Sequence, residues 1–98
     1  MKTRISEVQV VPIKPVNGLV GFASLVFDDC LYLGSIGIYT RPEGSYRLTY
    51  PTRKTVSSNF NIFHPINKDV SILIESEVIK KFEEVMKKYV RHNSFDIK

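Results

Sequence analysis

The spacing of the apolar residues changes once along the chain, near Lys68, and this change constrains the fold more than any other feature. Before it, apolar and polar residues alternate with a period of about two, as between Ile5 and Lys14, which is typical of β-strands. After it, apolar residues recur every three or four positions, which is typical of an amphipathic helix. The residues of this stripe are Ile74, Val78, Phe82, Val85 and Tyr89, widened by Ile79, Met86 and Val90. The sequence therefore predicts an α+β fold, with an antiparallel β-sheet followed by one C-terminal amphipathic α-helix.

Turn signals divide the first part of the chain into strands. Asn17-Gly18 is typical of a tight hairpin turn, because both residues tolerate a positive φ. Asp28-Asp29 interrupts the apolar run that begins at Leu19, and Arg41-Pro42-Glu43-Gly44 ends the next run, which begins at Cys30. These breaks predict a meander in which consecutive strands pair.

Two further strands complete a predicted meander of about four to five strands. We expect a short strand over residues 46–50, a loop over 51–58 and a last short strand over 60–63. Glycines at Gly34 and Gly37 fall inside the third strand, where they predict a bulge or a close backbone approach. The whole of residues 1–98 is expected to form one domain.

The helix is bounded by a capping residue and a polar end. Asn67 or Asp69 could cap its N-terminus, because their side chains accept hydrogen bonds from unpaired backbone N–H groups. We expect the helix to end at residues 91–94 and residues 91–98 to form a flexible tail.

Composition fits a small domain that folds without disulfides or metals. The 98 residues are 43% hydrophobic and 24% charged, which is ordinary for a globular protein. No apolar run reaches the roughly 20 residues that cross a bilayer, and the single cysteine suits a reducing compartment. We therefore expect a cytoplasmic protein with no membrane partner.

The sequence offers no set of residues that could carry out catalysis. Cys30 lies at the start of an apolar strand and is expected to be a small buried residue. His64 is expected to have a structural hydrogen-bonding role, and Asp28-Asp29 to form a turn. Neither a glycine-rich phosphate loop nor a metal-ligand spacing is present. We predict no catalytic residue, cofactor, metal or small-molecule substrate.

Positive charge is concentrated in the middle of the chain. The formal net charge is +4, and residues 41–54 hold four of the basic residues against only Glu43. These four basic residues are Arg41, Arg47, Arg53 and Lys54. Concentrated basic charge favours a polyanionic partner such as nucleic acid.

The segment from Leu48 to Thr55 combines an aromatic ring, a rigid proline, threonine hydroxyls and two cations. Arg53, Lys54 and Thr52 could donate hydrogen bonds to phosphate oxygens, while Tyr46 and Tyr50 could stack on unpaired bases. The alternative is a solvated loop whose tyrosines pack on the sheet. The residues alone leave both interpretations open.

Several motifs in order resemble those of the septation protein SpoVG family (stage V sporulation protein G). The most specific are Pro51-Thr52-Arg53-Lys54 and the later run Asn61-Ile62-Phe63-His64-Pro65-Ile66-Asn67, followed by the amphipathic helix. Phe27-Asp28-Asp29 leading to Ser35-Ile36-Gly37-Ile38 resembles the second hairpin of the family, and Ile5 to Val10 resembles its first strand. The resemblance covers about residues 4 to 90.

This resemblance implies a homodimer formed through sheet edges that binds DNA, and in some members RNA. It implies roles in gene regulation, septum formation and sporulation. Arg53 and Lys54 match the basic pair that follows the family's proline, and Thr52 stands where a serine is usual. The basic residues that match the helix and its end are Lys80, Lys81, Lys87, Lys88 and Arg91.

A protein-interaction module acting in septation is the second hypothesis. It needs no nucleic-acid contact, and its binding surface would be apolar. An exposed patch containing Phe60, Phe63 or Tyr89 would favour it, because large exposed apolar patches mark interfaces.

Overall fold

The computed structural model describes the backbone of residues 3–96 and the side chains of residues 3–88. Within these limits it contains a four-stranded antiparallel sheet, a separate two-stranded hairpin and one helix. The elements are β1 (Ile5–Val16), β2 (Leu19–Phe27), β3 (Leu31–Thr40), β4 (Tyr46–Thr49), β5 (Thr52–Lys54), β6 (Asn59–Asn61) and α1 (Lys68–Asp96). The predicted α+β fold is confirmed.

The four-stranded sheet is a meander in the order β1-β2-β3-β4. Asn17 and Gly18 both have positive φ in the first turn, at 52° and 90°. Asp28 and Asp29 do so in the second, at 51° and 56°, and short polar side chains tolerate this region better than branched ones. The turn signals in the sequence therefore located the connections of this sheet correctly.

The prediction of a loop over residues 51–58 is wrong in its first half. Thr52–Lys54 forms β5 and pairs with Asn59–Asn61, so the predicted strand at 60–63 lies slightly earlier and in a second sheet. The Thr55 hydroxyl closes the turn, since it donates to the Ser58 carbonyl at 3.0 Å and accepts from the Ser58 N–H at 3.1 Å. Side-chain hydrogen bonds thus replace the glycine or proline on which turn recognition usually depends.

The core lies between α1 and one face of the sheet. Ala23, Leu25, Ile36 and Ile38 project from β2 and β3 towards the helix. The helix contributes Ile74, Val78 and Phe82, all fully buried. The predicted helical stripe is confirmed at these positions, whereas the side chains of Tyr89 and Val90 lie outside the described residues. Burying each large apolar side chain contributes about 1.5–3 kcal/mol.

Gly37 leaves room for the side chain of Thr49 on the neighbouring strand β4. A Cβ atom at this position would stand 2.6 Å from Thr49 Oγ1, a distance that requires the neighbour to move. The three nearest atoms belong to side chains, so the close approach at Gly37 is between the glycine and side chains and not between two backbones.

Two local predictions need correction. Cys30 is exposed rather than buried, because it completes the turn formed by Asp28 and Asp29 instead of starting β3. Its Sγ lies 3.5 Å from the Phe27 carbonyl oxygen. The backbone of α1 continues through residues 91–94 to Asp96, beyond the predicted helix end, and the flexibility of residues 91–98 stays a prediction.

Asn67 caps the helix. Its Oδ1 accepts a hydrogen bond from the Val70 N–H at 3.1 Å, and its carbonyl accepts one from the Ser71 N–H at 2.9 Å. Of the two candidates in the sequence, Asn67 is thus the residue that satisfies an otherwise unpaired N–H group of the first turn.

We expect Asn67→Ala to lower the free energy of unfolding by about 1 kcal/mol, because the first turn loses its side-chain acceptor. Urea denaturation monitored by circular dichroism measures this change. Asn61→Ala is the matched control, since Asn61 is exposed in β6, and Asn67→Asp should retain most of the stability. Equal effects of Asn67→Ala and Asn61→Ala would contradict the capping role.

Candidate nucleic-acid interface

The β5–β6 hairpin carries the basic residues that the sequence singled out, and all six of its strand residues are exposed. Arg53 lies opposite Phe60 in the ladder. Because successive residues of a strand point to opposite faces, Arg53 and Phe60 share one face of the hairpin. The other face holds Thr52, Lys54, Asn59 and Asn61. Arg53 and Lys54 therefore do not lie side by side on one surface, although a loop would have allowed that arrangement.

The positive charges of Arg53 and Lys54 are not neutralised by neighbouring carboxylates. Within residues 3–88, no carboxylate oxygen lies within 4.0 Å of either cation. Arg41, the first cation of the basic segment, is different, because its guanidinium lies 3.9 Å from Glu43 and 4.0 Å from Glu75. The hairpin consequently offers charge that an anionic ligand can use.

Asn59 and Asn61 are functional candidates that the sequence interpretation missed. Both lie on the hairpin face of Lys54, directly opposite Lys54 and Thr52, and their amides can donate hydrogen bonds. The signal that could have found them is the alternation of Asn59, Phe60 and Asn61, which is typical of a strand with one polar face.

The base of the hairpin packs against the sheet and the helix through aromatic residues. The Tyr50 and Phe63 rings meet edge to face, with centroids 5.9 Å apart. Beside them lies an apolar cavity of about 280 Å³. Its walls come from the ends of β2 and β3, from residues 63–67 and from the first turns of α1. This packing fixes where the hairpin leaves the body of the domain.

Burial of Tyr50 changes its acidity. Removal of the phenol from water, assisted by the negative charge of Glu75, raises the pKa of Tyr50 from 10.0 to about 12. Both causes disfavour the phenolate. Tyr50 is therefore an uncharged packing residue over the physiological pH range.

Tyr46 is also engaged in packing. Its ring meets the Phe82 ring at a centroid distance of 5.0 Å and an interplanar angle of 73°. Both tyrosines therefore pack within the domain, Tyr46 on the helix residue Phe82 and Tyr50 on Phe63. Base stacking by these two rings is not available without unpacking them.

Arg47 lies on the opposite side of the sheet from the helix. Its neighbours in sequence, Tyr46 and Leu48, pack against the core, so the alternation of the strand directs Arg47 outwards. The guanidinium carbon stands 4.8 Å from the centre of the Tyr39 ring, within the range of a cation–π contact. Arg47 therefore belongs to a different surface from the hairpin cations.

The helix lysines form a third group. Lys80 and Lys81 line a groove between α1 and β1 together with Glu7, Glu77 and Glu84. Lys81 Nζ lies 3.8 Å from Glu84. With three carboxylates around two lysines, this groove repels phosphate more than it attracts it.

Lys87 and Lys88 are exposed nearer the end of α1. At about 1.5 Å per residue, they lie roughly 27 Å along the helix from Val70, which lines the cavity at the hairpin base. The side chain of Arg91 falls outside the described residues. Within one chain, the structure does not bring the helix lysines and the hairpin cations together.

His64 has a local structural contact. Its Nδ1 lies 3.1 Å from the Pro65 carbonyl oxygen, close enough for a protonated Nδ1 to donate.

Within the described residues, no three acidic, histidine or cysteine side chains cluster as metal ligands do. Among the described residues, no helix is both long enough and apolar enough to span a bilayer.

The fold and the hairpin together define a class of small α+β domain, in which one helix covers a sheet meander and a basic hairpin projects from the end of β4. The chain belongs to the SpoVG family, whose model matches residues 3–84. The family expected from the Pro51–Lys54 and His64–Asn67 motifs is thus confirmed.

Curated relatives agree with this assignment. A protein of Phytoplasma australiense named "Putative septation protein SpoVG" is 31% identical over 84 residues, which cover 85% of this chain and 86% of that relative. A protein of the same name from Treponema denticola is 32% identical over 81 residues, covering 82% of this chain and 86% of the relative. Another, from Caldicellulosiruptor saccharolyticus, is 29% identical over 84 residues, with coverages of 85% and 94%.

The raised pKa of Tyr50 predicts a loss of stability at alkaline pH. Between pH 10 and about 12 the unfolded chain ionises Tyr50 while the folded chain does not, so the free energy of unfolding falls as pH rises through this window. Tyr50→Phe should show a smaller fall, measured by urea denaturation at pH 8 and pH 11. Tyr32→Phe, which removes a hydroxyl from an exposed ring, is the matched control. A Tyr50→Phe profile identical to that of the wild type would contradict the buried phenol.

Proposed function

We propose that the protein is a homodimeric regulator that binds nucleic acid in the cytoplasm and influences gene expression, cell septation and sporulation. The observation that carries the proposal is the projecting β5–β6 hairpin, whose Arg53 and Lys54 are exposed and have no carboxylate within 4.0 Å among the described side chains. The names of the relatives as septation proteins support the cellular role.

The shape of the hairpin suits a groove of duplex DNA. A two-stranded β-ribbon fits the major groove, and cations on both of its faces can then meet phosphates on both sides of the groove. Arg53 would serve one side and Lys54 the other, because they point to opposite faces. Thr52, Asn59 and Asn61 add uncharged donors on the Lys54 face.

A homodimer would double this charge. A sheet in the order β1-β2-β3-β4 leaves the outer edges of β1 and β4 without a partner strand among the described residues, and such edges are templates for another strand. Pro12 and Pro15 lie within β1 and cannot donate to a ladder. The outer edge of β4 is therefore the better candidate for pairing between two copies.

We expect Arg53→Ala and Lys54→Ala each to weaken binding to duplex DNA and to reduce the slope of log affinity against log salt concentration by about one, because each removes one phosphate contact. Fluorescence anisotropy with a labelled duplex across a salt series measures both quantities. RNA and single-stranded DNA titrated in parallel show which nucleic acid is preferred.

Lys14→Ala is the matched control, because it removes one positive charge from an exposed position of β1. It should change affinity little. Lys87→Ala tests the helix group in the same assay. Should the wild-type protein bind no nucleic acid at low salt and micromolar concentration, the proposed function is wrong. Equal effects of Arg53→Ala and Lys14→Ala would remove the hairpin from the role.

The homodimer has its own test. Sedimentation equilibrium at micromolar concentration should give about twice the chain mass of 11.3 kDa, because the unpaired sheet edges would join. The 11.3 kDa mass of a single chain would exclude the dimer while leaving the hairpin proposal untouched.

A protein-interaction module in septation is the second candidate. The observation that favours it is a set of exposed apolar side chains on the hairpin and the segment after it, namely Val56, Phe60, Ile62 and Ile66. Exposed apolar clusters mark protein interfaces. A wild-type protein that binds no nucleic acid at low salt would favour this candidate over the first.

A further inference from the structure

The face of the sheet that points away from α1 carries exposed aromatic residues. Since Ala23 and Leu25 point to the helix, the alternation of β2 directs Phe22 to the outer face. Phe22 is 41% exposed, Tyr32 is 73% exposed and Val11, which pairs with Phe22, is 62% exposed. Among the described elements, none packs over these rings.

Phe22 and Tyr32 are the aromatic walls of one cleft. The cleft has a volume of about 410 Å³, within the range of about 300–1,000 Å³ found for small-molecule sites. Tyr32 leans along its strand over Gly34, where a Cβ atom would stand 3.2 Å from the ring. The absence of a side chain at Gly34 thus lets the Tyr32 ring lie over the sheet.

The remaining lining of the cleft is uncharged and combines the apolar residues Val11 and Ala23 with three polar residues. The polar residues are Gln9, Ser24 and Ser35. Ser35 has a φ of 59° and is close to the irregularity in pairing between Ala23 and Leu25. A flat ligand between the rings would therefore meet an amide and two hydroxyls at its edge, which can donate and accept hydrogen bonds.

The charge of this face favours an anion. Strands β2, β3 and β4 contain no acidic residue, and the Glu7 of β1 lies in the groove beside α1. Arg47, stacked on Tyr39, supplies a cation on the same face. A ligand with flat aromatic groups, polar edges and negative charge has the chemistry that this face complements.

We propose that the outer face of the sheet binds unpaired bases of a single-stranded nucleic acid, with Phe22 and Tyr32 stacking on bases and Arg47 contacting phosphate. This inference rests on the proposed nucleic-acid function and adds a second surface to it. Duplex DNA keeps its bases stacked internally, so this face is selective for unpaired strands, whereas the hairpin contacts phosphates of either form.

The test compares a labelled single-stranded oligothymidylate with a duplex in fluorescence anisotropy. Phe22→Ala and Tyr32→Ala should each weaken single-strand binding about 5- to 150-fold, the effect of losing one stacked base, and leave duplex binding unchanged. Tyr32→Phe and Phe22→Tyr keep the rings and should retain binding. Ile72→Ala, which shortens an exposed apolar side chain of α1 outside the cleft, is the matched control.

An abasic strand with the same phosphates separates base stacking from charge. Wild-type protein should bind it more weakly than Tyr32→Ala binds oligothymidylate, because the abasic strand lacks every stacked base whereas the variant still stacks one base on Phe22. Equal wild-type affinity for the abasic strand and for oligothymidylate would overturn the proposal.

The remaining outcomes distinguish the two proposals. Should Arg53→Ala weaken binding while Phe22→Ala and Tyr32→Ala do not, the sheet face is excluded and the hairpin function stands. Should the wild type bind neither oligonucleotide, both proposals fail. Should Tyr32→Ala convert a dimer to a monomer in sedimentation, the face is an interface between two copies, and the single-strand proposal is overturned.

Discussion

The contact between Phe82 and the sheet is the interaction on which the rest of the structure depends. Phe82 is almost completely buried, meets the Tyr46 ring of β4 and lies 3.2 Å from where a Cβ of Gly21 would stand in β2. One side chain therefore joins the helix to two strands that are not neighbours in the sheet. The absence of a side chain at Gly21 leaves room for this contact, because an added Cβ would stand 3.0 Å from the Val11 carbonyl oxygen as well as 3.2 Å from the Phe82 ring.

A single helix can cover only one face of a sheet, and this limit leaves the other face exposed. The inner face is filled by α1, so the aromatic residues of the outer face remain exposed. Tyr46 anchors β4 through Phe82, and Tyr50 packs on Phe63 immediately afterwards. Residues 52–61 contribute no side chain to the core, and they project as the β5–β6 hairpin with its charges in solvent.

The sequence predicted the elements that follow a regular period and missed those that depend on particular side-chain contacts. Asn17-Gly18, Asp28-Asp29 and the helical stripe located β1 to β3 and α1, because each signal is local. The hairpin was missed because the Thr55 hydroxyl closes its turn, and no residue there requires a positive φ. Because a loop was predicted for these residues, nothing in the sequence indicated that Arg53 and Lys54 lie on opposite faces. Their opposite orientation follows only from the strand.

The modest charge of the chain explains why two surfaces would serve better than one. Phosphate contacts lose affinity steeply as salt rises, because each releases a counterion, and Arg41 is already close to two carboxylates. Stacking between an aromatic ring and a base involves no counterion release. A chain with a net charge of +4 would therefore depend on Phe22 and Tyr32 for affinity at physiological ionic strength. The hairpin would supply attraction and orientation, so the preference for single strands should grow as salt rises.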